Sequence, residues 1–196
     1  MKKIDELISE IKRLENELSQ EIQKKETEYY YKIQGKRIYF EESVKQVQKT
    51  LSTTLGAYIF HAPLLHTLSG VIIWSCLLPA LIMDMFVSIY QALCFPVYGI
   101  PKVKRKDYII VDRHSLAYLN LIEKVNCMYC GYFNGLISYV QEIAARTEQY
   151  WCPIKHARKI STIHSRYKYF FEYGDGEEYK KNLEEIRQKF DDLDEE

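Results

Sequence analysis

Hydrophobic and polar positions alternate in four regimes along the chain. In the first, Ile4, Leu7, Ile11, Leu14 and Leu18 recur at spacings of three and four. That rhythm predicts an amphipathic, coiled-coil-like helix, with Glu, Lys, Asp and Gln between the apolar positions. Gly35 with Lys36 and Arg37 marks a break. Helical composition returns at 41–50, and the region 1–50 is read as one amphipathic helical region. The second regime, 51–101, is apolar almost without relief. Helix punctuation there comes only from Gly56, Pro63, Ser69, Gly70, Pro79, Pro96 and Gly99. A single straight helix of that length would exceed twice the thickness of a hydrocarbon core, so the block is expected to turn. The turn falls either at Pro79, between helices at 52–76 and 79–98, or at Ser69-Gly70, ahead of a helix at 71–95. Either gives a transmembrane or re-entrant helical hairpin.

The third regime, 102–173, alternates again. Tyr108-Ile109-Ile110-Val111 resembles a short strand. Asp112 or Ser115 then caps a helix to about Cys130, the stretch 131–135 breaks it, and a second helix runs over 136–150. This is a helical domain carrying Cys and His. The fourth, 174–196, is an acidic tail with a helix at 177–190 and six terminal residues expected to be disordered. Together these give an all-α membrane protein.

Charge changes the picture more than composition does. The 196 residues balance 27 basic against 27 acidic side chains, which alone suggests a neutral soluble protein and argues against a general nucleic-acid binder. Read in order, the balance dissolves. Residues 51–101 hold no basic residue and one acidic residue, Asp84, whereas 102–171 hold 12 basic and five acidic. Lys102, Lys104, Arg105 and Lys106 follow the apolar block at once, and Lys36, Arg37, Lys45 and Lys49 precede it. Both flanks point to the cytoplasm, with both termini cytoplasmic. The N-terminus lacks a signal-peptide pattern. Tyr58, Trp74, Tyr90 and Tyr98 suit interfacial positions.

The candidate chemistry lies after the apolar block, in Cys127-x2-Cys130-x21-Cys152-x3-His156. Two close pairs separated by an intervening element have the form of a Cys3His site, for which zinc is the default and iron the alternative. Helical spacing places Glu123 with Cys127 and Cys130, and Glu148 with Cys152, on otherwise apolar faces. Both carboxylates, with His114, are candidates as alternate ligands or supports, whereas Glu142 and Arg146 are expected to point elsewhere. The Cys127/Cys130 pair could equally be a dithiol that passes electrons to a quinone, or all three cysteines could simply be packed. Asp84, as a carboxylate within an apolar block, is a functional candidate by default. His61 and His66 also lie in the block, about 140° apart around a helix and so not a natural chelating pair. The basic stretch around His164 could meet lipid head groups.

The stretches Tyr90-Gln91-Ala92-Leu93-Cys94-Phe95-Pro96-Val97-Tyr98-Gly99-Ile100-Pro101 and Arg146-Thr147-Glu148-Gln149-Tyr150-Trp151-Cys152-Pro153-Ile154-Lys155-His156-Ala157, with Asn126-Cys127-x2-Cys130 between them, resemble a family of uncharacterised bacterial membrane proteins. The resemblance spans about 60–175 and implies a bacterial inner-membrane setting, without an activity. Three functions follow as expectations. The first is a membrane-anchored metal-binding protein whose reaction, if any, is open. The second is a non-enzymatic scaffold that associates with a partner or a second copy through the N-terminal helix. The third is a thiol–quinone oxidoreductase.

Overall fold

A computed structural model describes residues 2–29, 31–34 and 37–193. The break expected at Gly35 and Lys36 and the last three residues of the acidic tail lie outside them. The chain is mostly helical and forms two compact units, residues 1–61 with 112–128 and residues 62–111 with 129–196.

The first unit begins with α1, Lys2–Glu28. Arg13 pairs with Glu10 and Glu17, Lys24 with Glu21, and Lys25 with Glu28, all within one turn on the exposed face. Such pairs add only tenths of a kcal/mol each. Ile11, Leu14, Leu18 and Ile22 are all more than half exposed, so this part of the apolar seam has no cover among the described residues. An antiparallel hairpin of β1, Tyr31–Gln34, and β2, Arg37–Phe40, follows in place of the expected break alone, with Tyr31 paired to Phe40. Helix α2, Glu42–Thr50, and α3, Leu55–Phe60, complete its N-terminal part, and Thr54 caps α3 by accepting from the Ala57 amide.

In the second unit the apolar block does not fold into a hairpin. Helix α4, Leu64–Ser75, passes through Cys76 directly into α5, Leu77–Tyr98. Cys76 itself keeps right-handed helical geometry, so 64–98 forms one 35-residue helical run. Neither expected turn occurs. Pro79 sits in the first turn of α5, where a missing N–H matters least, and Ser69-Gly70 lies inside α4. The run ends at Gly99, whose φ of 68° is left-handed, and the Ile100 amide reaches back to the Phe95 carbonyl.

The two halves of this run differ. In α4 no residue is buried. In α5 one face is buried at Ala80, Gln91 and Phe95, while Leu78, Phe86, Leu93 and Val97 stay exposed on the other. The buried face packs on α7, Leu121–Trp151. Contacts ascend together along both helices: Tyr129 donates to the Ile73 carbonyl, Tyr132 to Asp84, Tyr139 meets Gln91, and Tyr150 stacks on Tyr98. The packed part of α7 is therefore parallel to α4–α5, and the chain between must return alongside them. It does so through the short helix α6, Arg105–Tyr108, and the strand expected at Tyr108–Val111 does not form. After α7, residues 152–171 cross back with a single bridge between Ile154 and Phe171, and α8, Gly176–Gln188, closes the unit near the expected bounds.

Helix α7 is unbroken through 131–135, contrary to expectation. Its glycines are there for proximity. A Cβ on Gly135 would stand 2.6 Å from the Tyr108 carbonyl oxygen and 2.9 Å from the Ile109 Cα, and one on Gly131 would stand 3.2 Å from the Ile110 carbonyl oxygen. The start also differs from expectation. Arg113–Ser115 is a 3₁₀ turn, and α7 is capped by a reciprocal pair in which the Glu123 amide donates to Asn120 Oδ1 and the Asn120 amide to Glu123 Oε2. Gly135→Ala is therefore expected to destabilise the unit. The helix-propensity gain of about 1 kcal/mol is outweighed by backbone overlap of about 1–3 kcal/mol. Gly131→Ala should be close to neutral. Melting curves of both variants check this, and a higher midpoint for Gly135→Ala would contradict the close approach.

Candidate functional site

The four residues expected to hold zinc or iron are not brought together. Cys130 and Cys152 are 22 positions apart on α7 and its continuation, with Cys152 still hydrogen-bonded to the Glu148 carbonyl. At 1.5 Å per residue that is roughly 33 Å, against about 2.3 Å for each zinc–sulfur bond. The expectation depended on a helix break that the glycines do not make. Cys127 is half-buried, Cys130, Cys152 and His156 are exposed, and the cysteines are free thiols. Among the described residues no group of three or more His, Cys, Asp or Glu is placed to hold a metal ion.

The carboxylates also take other roles. Glu123 is a cap, and His114 is exposed in the 3₁₀ turn. The buried carboxylate is Glu142, not Glu148. It accepts from Arg146 Nε at 2.8 Å and from Ser165 Oγ at 2.6 Å, with its side chain and that of Arg146 both under one-tenth exposed. Arg146 Nη1 also donates to the Pro101 carbonyl. Sequence spacing had turned this pair outward. Residues 152–171 crossing back over that face are what bury it, and nothing in helical periodicity records a returning segment.

Beside that pair lies a second one. Arg166 is 1% exposed. Its Nε donates to Gln149 Oε1, Nη1 to both oxygens of Asp192 at 2.9 Å, and Nη2 to the Lys189 carbonyl at 2.6 Å. Gln149 spends its own amide on the carbonyls of Ile186 and Lys189, so one guanidinium and one carboxamide tie α7, the returning segment and the end of α8 together. Although burial opposes it, the Arg166 guanidinium holds Asp192 below the usual carboxylate range.

His164 sits against Glu148 at 3.2 Å, with its Nδ1 buried and without a hydrogen bond among the described residues. Burial pushes its pKa down, against the pull of Glu148 and Glu142. The folded chain then binds a proton less readily than the unfolded chain, so this contribution is complete above about pH 6.5 and is lost as pH falls below it. Asp192 contributes in a separate window, lost only as pH falls below about 4. The unfolding free energy measured in urea is expected to drop between pH 7.5 and 5.5, by at most about 1.4 kcal/mol per pH unit. His164→Phe should flatten that slope, and an unchanged slope in the variant would contradict the assignment.

The lone charge of the apolar block is paired. Asp84 accepts from Arg105 at 2.6 and 3.2 Å, from the Tyr132 hydroxyl at 3.0 Å and from Ser88 at 3.4 Å. Its partner comes from the basic flank, so the carboxylate is built into the packing of α5 on α7. His61 and His66 are both exposed, and His61 Nδ1 contacts the Ala57 carbonyl within its own helix.

What stands out is the apolar surface. Of the most apolar 18-residue stretch of 64–98, only 6% is buried. Leu64, Leu65, Val71, Ile72 and Leu78 are each about two-thirds exposed or more. Helix 64–98 is long and apolar enough to cross a membrane. No known protein family, curated protein or solved structure matches this chain.

Proposed function

We propose that this chain is a membrane-anchored, non-enzymatic interaction protein. Residues 64–83 lie in the bilayer, with Tyr129 against Ile73 and Trp74 at that depth, and the part of the helical body packed on 84–98 rests at the cytoplasmic face. The observation that carries this reading is the exposure of α4 on every side. A core helix of a soluble protein would bury that surface, and an uncovered patch of this kind marks a membrane or a partner. Twenty residues at 1.5 Å each cover about 30 Å, the thickness of a hydrocarbon core. Lys102, Lys104, Arg105 and Lys106 support the cytoplasmic placement of the body. The polar groups of the body support a structural role, since Glu142, Arg146, Gln149 and Arg166 satisfy one another and the backbone. The uncovered seam of α1 supports association with a second copy or another amphipathic helix.

Flotation tests the anchor. Full-length protein mixed with vesicles of pure phosphatidylcholine should float with the lipid and stay there through an alkaline carbonate wash. A chain that is monodisperse in detergent-free buffer and remains at the bottom of the gradient would overturn it.

A further inference from the structure

Past Gly99 the chain doubles back over the buried side of α5, and an open cleft of about 650 Å³ forms there, lined by Lys102, Lys104, Lys106, Asp107, Tyr108 and Arg146. Its size falls in the range of small-ligand sites. The backbone that carries the lysines is fixed at two points. Val103 is buried, and its amide donates at 3.0 Å to Oε1 of Gln91, which is itself buried on α5. Two residues earlier, the Pro101 carbonyl accepts from Arg146 Nη1 at 2.8 Å. With Lys104 extended, neighbouring side chains alternate, so burying Val103 turns Lys102 and Lys104 outward together. Holding the donors in place before a ligand arrives lowers the ordering cost of binding.

Charge and position indicate what the cleft takes. The three lysines are exposed and have no ion-pair partner among the described residues. Arg146 is balanced by Glu142, while its Nη2 has no partner among the described residues. Three lysines against Asp107 leave a surplus of two positive charges in the lining. A phosphomonoester, at about −1.5 to −2 near neutral pH, matches that surplus. Position separates a soluble phosphate from a lipid one. On the membrane-anchored reading, on which this step rests, Gln91 lies eight residues past the bilayer segment, about 12 Å along α5. The head-group layer of one leaflet is about 5–8 Å thick. The lysine-bearing loop, held at Gln91, therefore stands beyond the head groups. We propose that this cleft binds the phosphate of a water-soluble phosphomonoester, with Lys102, Lys104 and Lys106 as donors and Arg146 fixing the floor.

Calorimetric titration of the full chain in non-ionic detergent tests this, with glycerol phosphate, glycerol and short-chain phosphatidic acid as probes. Glycerol phosphate is expected to bind and glycerol not to. Phosphatidic acid, which carries the same head group, should bind no more tightly than glycerol phosphate. The K102Q/K104Q/K106Q variant should weaken glycerol phosphate at least about 100-fold, on the scale of about tenfold for each charge-assisted hydrogen bond lost. K159Q/K180Q/K181Q, which removes as many exposed charges elsewhere, should leave the affinity unchanged. Asp107→Asn removes the one opposing charge and should tighten binding about two- to fivefold. Absence of glycerol phosphate binding would overturn the proposal. So would wild-type affinity in a K102Q/K104Q/K106Q variant with an unaltered melting curve, or equal weakening by the two triple variants. Phosphatidic acid binding about tenfold more tightly than glycerol phosphate would overturn the soluble source. If K102Q/K104Q/K106Q does not fold, Asp107→Asn decides, and affinity no higher than that of the unsubstituted chain counts against the site. The anchor reading fails separately, in flotation, where no soluble phosphate compound is present.

Discussion

Arg166→Ala is expected to be among the most damaging single substitutions in the helical body, at about 3–5 kcal/mol. The guanidinium is 1% exposed and satisfies three partners from two other segments, Gln149 on α7 and Asp192 and the Lys189 carbonyl just after α8. It also lies over the rings of Tyr169 and Phe190 at 4.7 and 5.1 Å. Alanine removes the donors and leaves the Gln149 oxygen and the Lys189 carbonyl without this partner in a closed interior, and an unpaired buried acceptor is what makes such losses large. Arg166→Lys keeps the charge but not the planar fork, so it should recover only part of the loss. Urea unfolding followed by near-ultraviolet circular dichroism measures both variants. Loss of less than about 1 kcal/mol in Arg166→Ala would show that the cluster behaves like a solvated surface pair.

The second large effect concerns location. Ile72 and Leu78 are 71% and 66% exposed, so lysines there disturb no packing within the body. In a bilayer each central lysine is unfavourable by about 2.5–3.5 kcal/mol. Ile72→Lys combined with Leu78→Lys should therefore move the chain from the membrane fraction to the soluble fraction while the melting midpoint of the body is unchanged. Ile163→Lys, at an equally exposed apolar position on the body, is the control and should leave the distribution as it was. Retention of the double variant in carbonate-washed membranes would mean that 64–83 is not the anchor.

The sequence made some of this legible and hid the rest for physical reasons. The seam of α1, the acidic α8 and the nearly uncharged stretch around 64–98 are visible because each depends on local periodicity or composition. The course of the apolar block was misread because its punctuation is harmless where it stands. Pro79 occupies a first turn and Ser69-Gly70 an exposed helix, so neither forces a bend. At Gly131 and Gly135, too, glycines that suggest a helix break instead mark the close approach of the 108–110 segment. The unbroken helix holds Cys130 and Cys152 apart along its length. The capping box Asn120-x-x-Glu123 was a readable signal for the start of α7, and it outweighs Asp112 and Ser115. Other features were beyond local reading. Asp84 meets Arg105 across 21 positions and Arg166 meets Asp192 across 26, and no periodicity announces such partners.

The depth of Trp74 tests the anchor most directly. Trp74 lies ten residues into α4, about 15 Å from Leu64 and so near the middle of a hydrocarbon core if 64–83 spans it. With Trp151→Phe it is the only tryptophan in the chain. In vesicles containing lipids brominated at different acyl depths, its fluorescence should be quenched most by the deepest bromines and little by aqueous iodide. Strong quenching by iodide with no response to brominated lipid would place α4 in water and contradict the membrane-anchored reading.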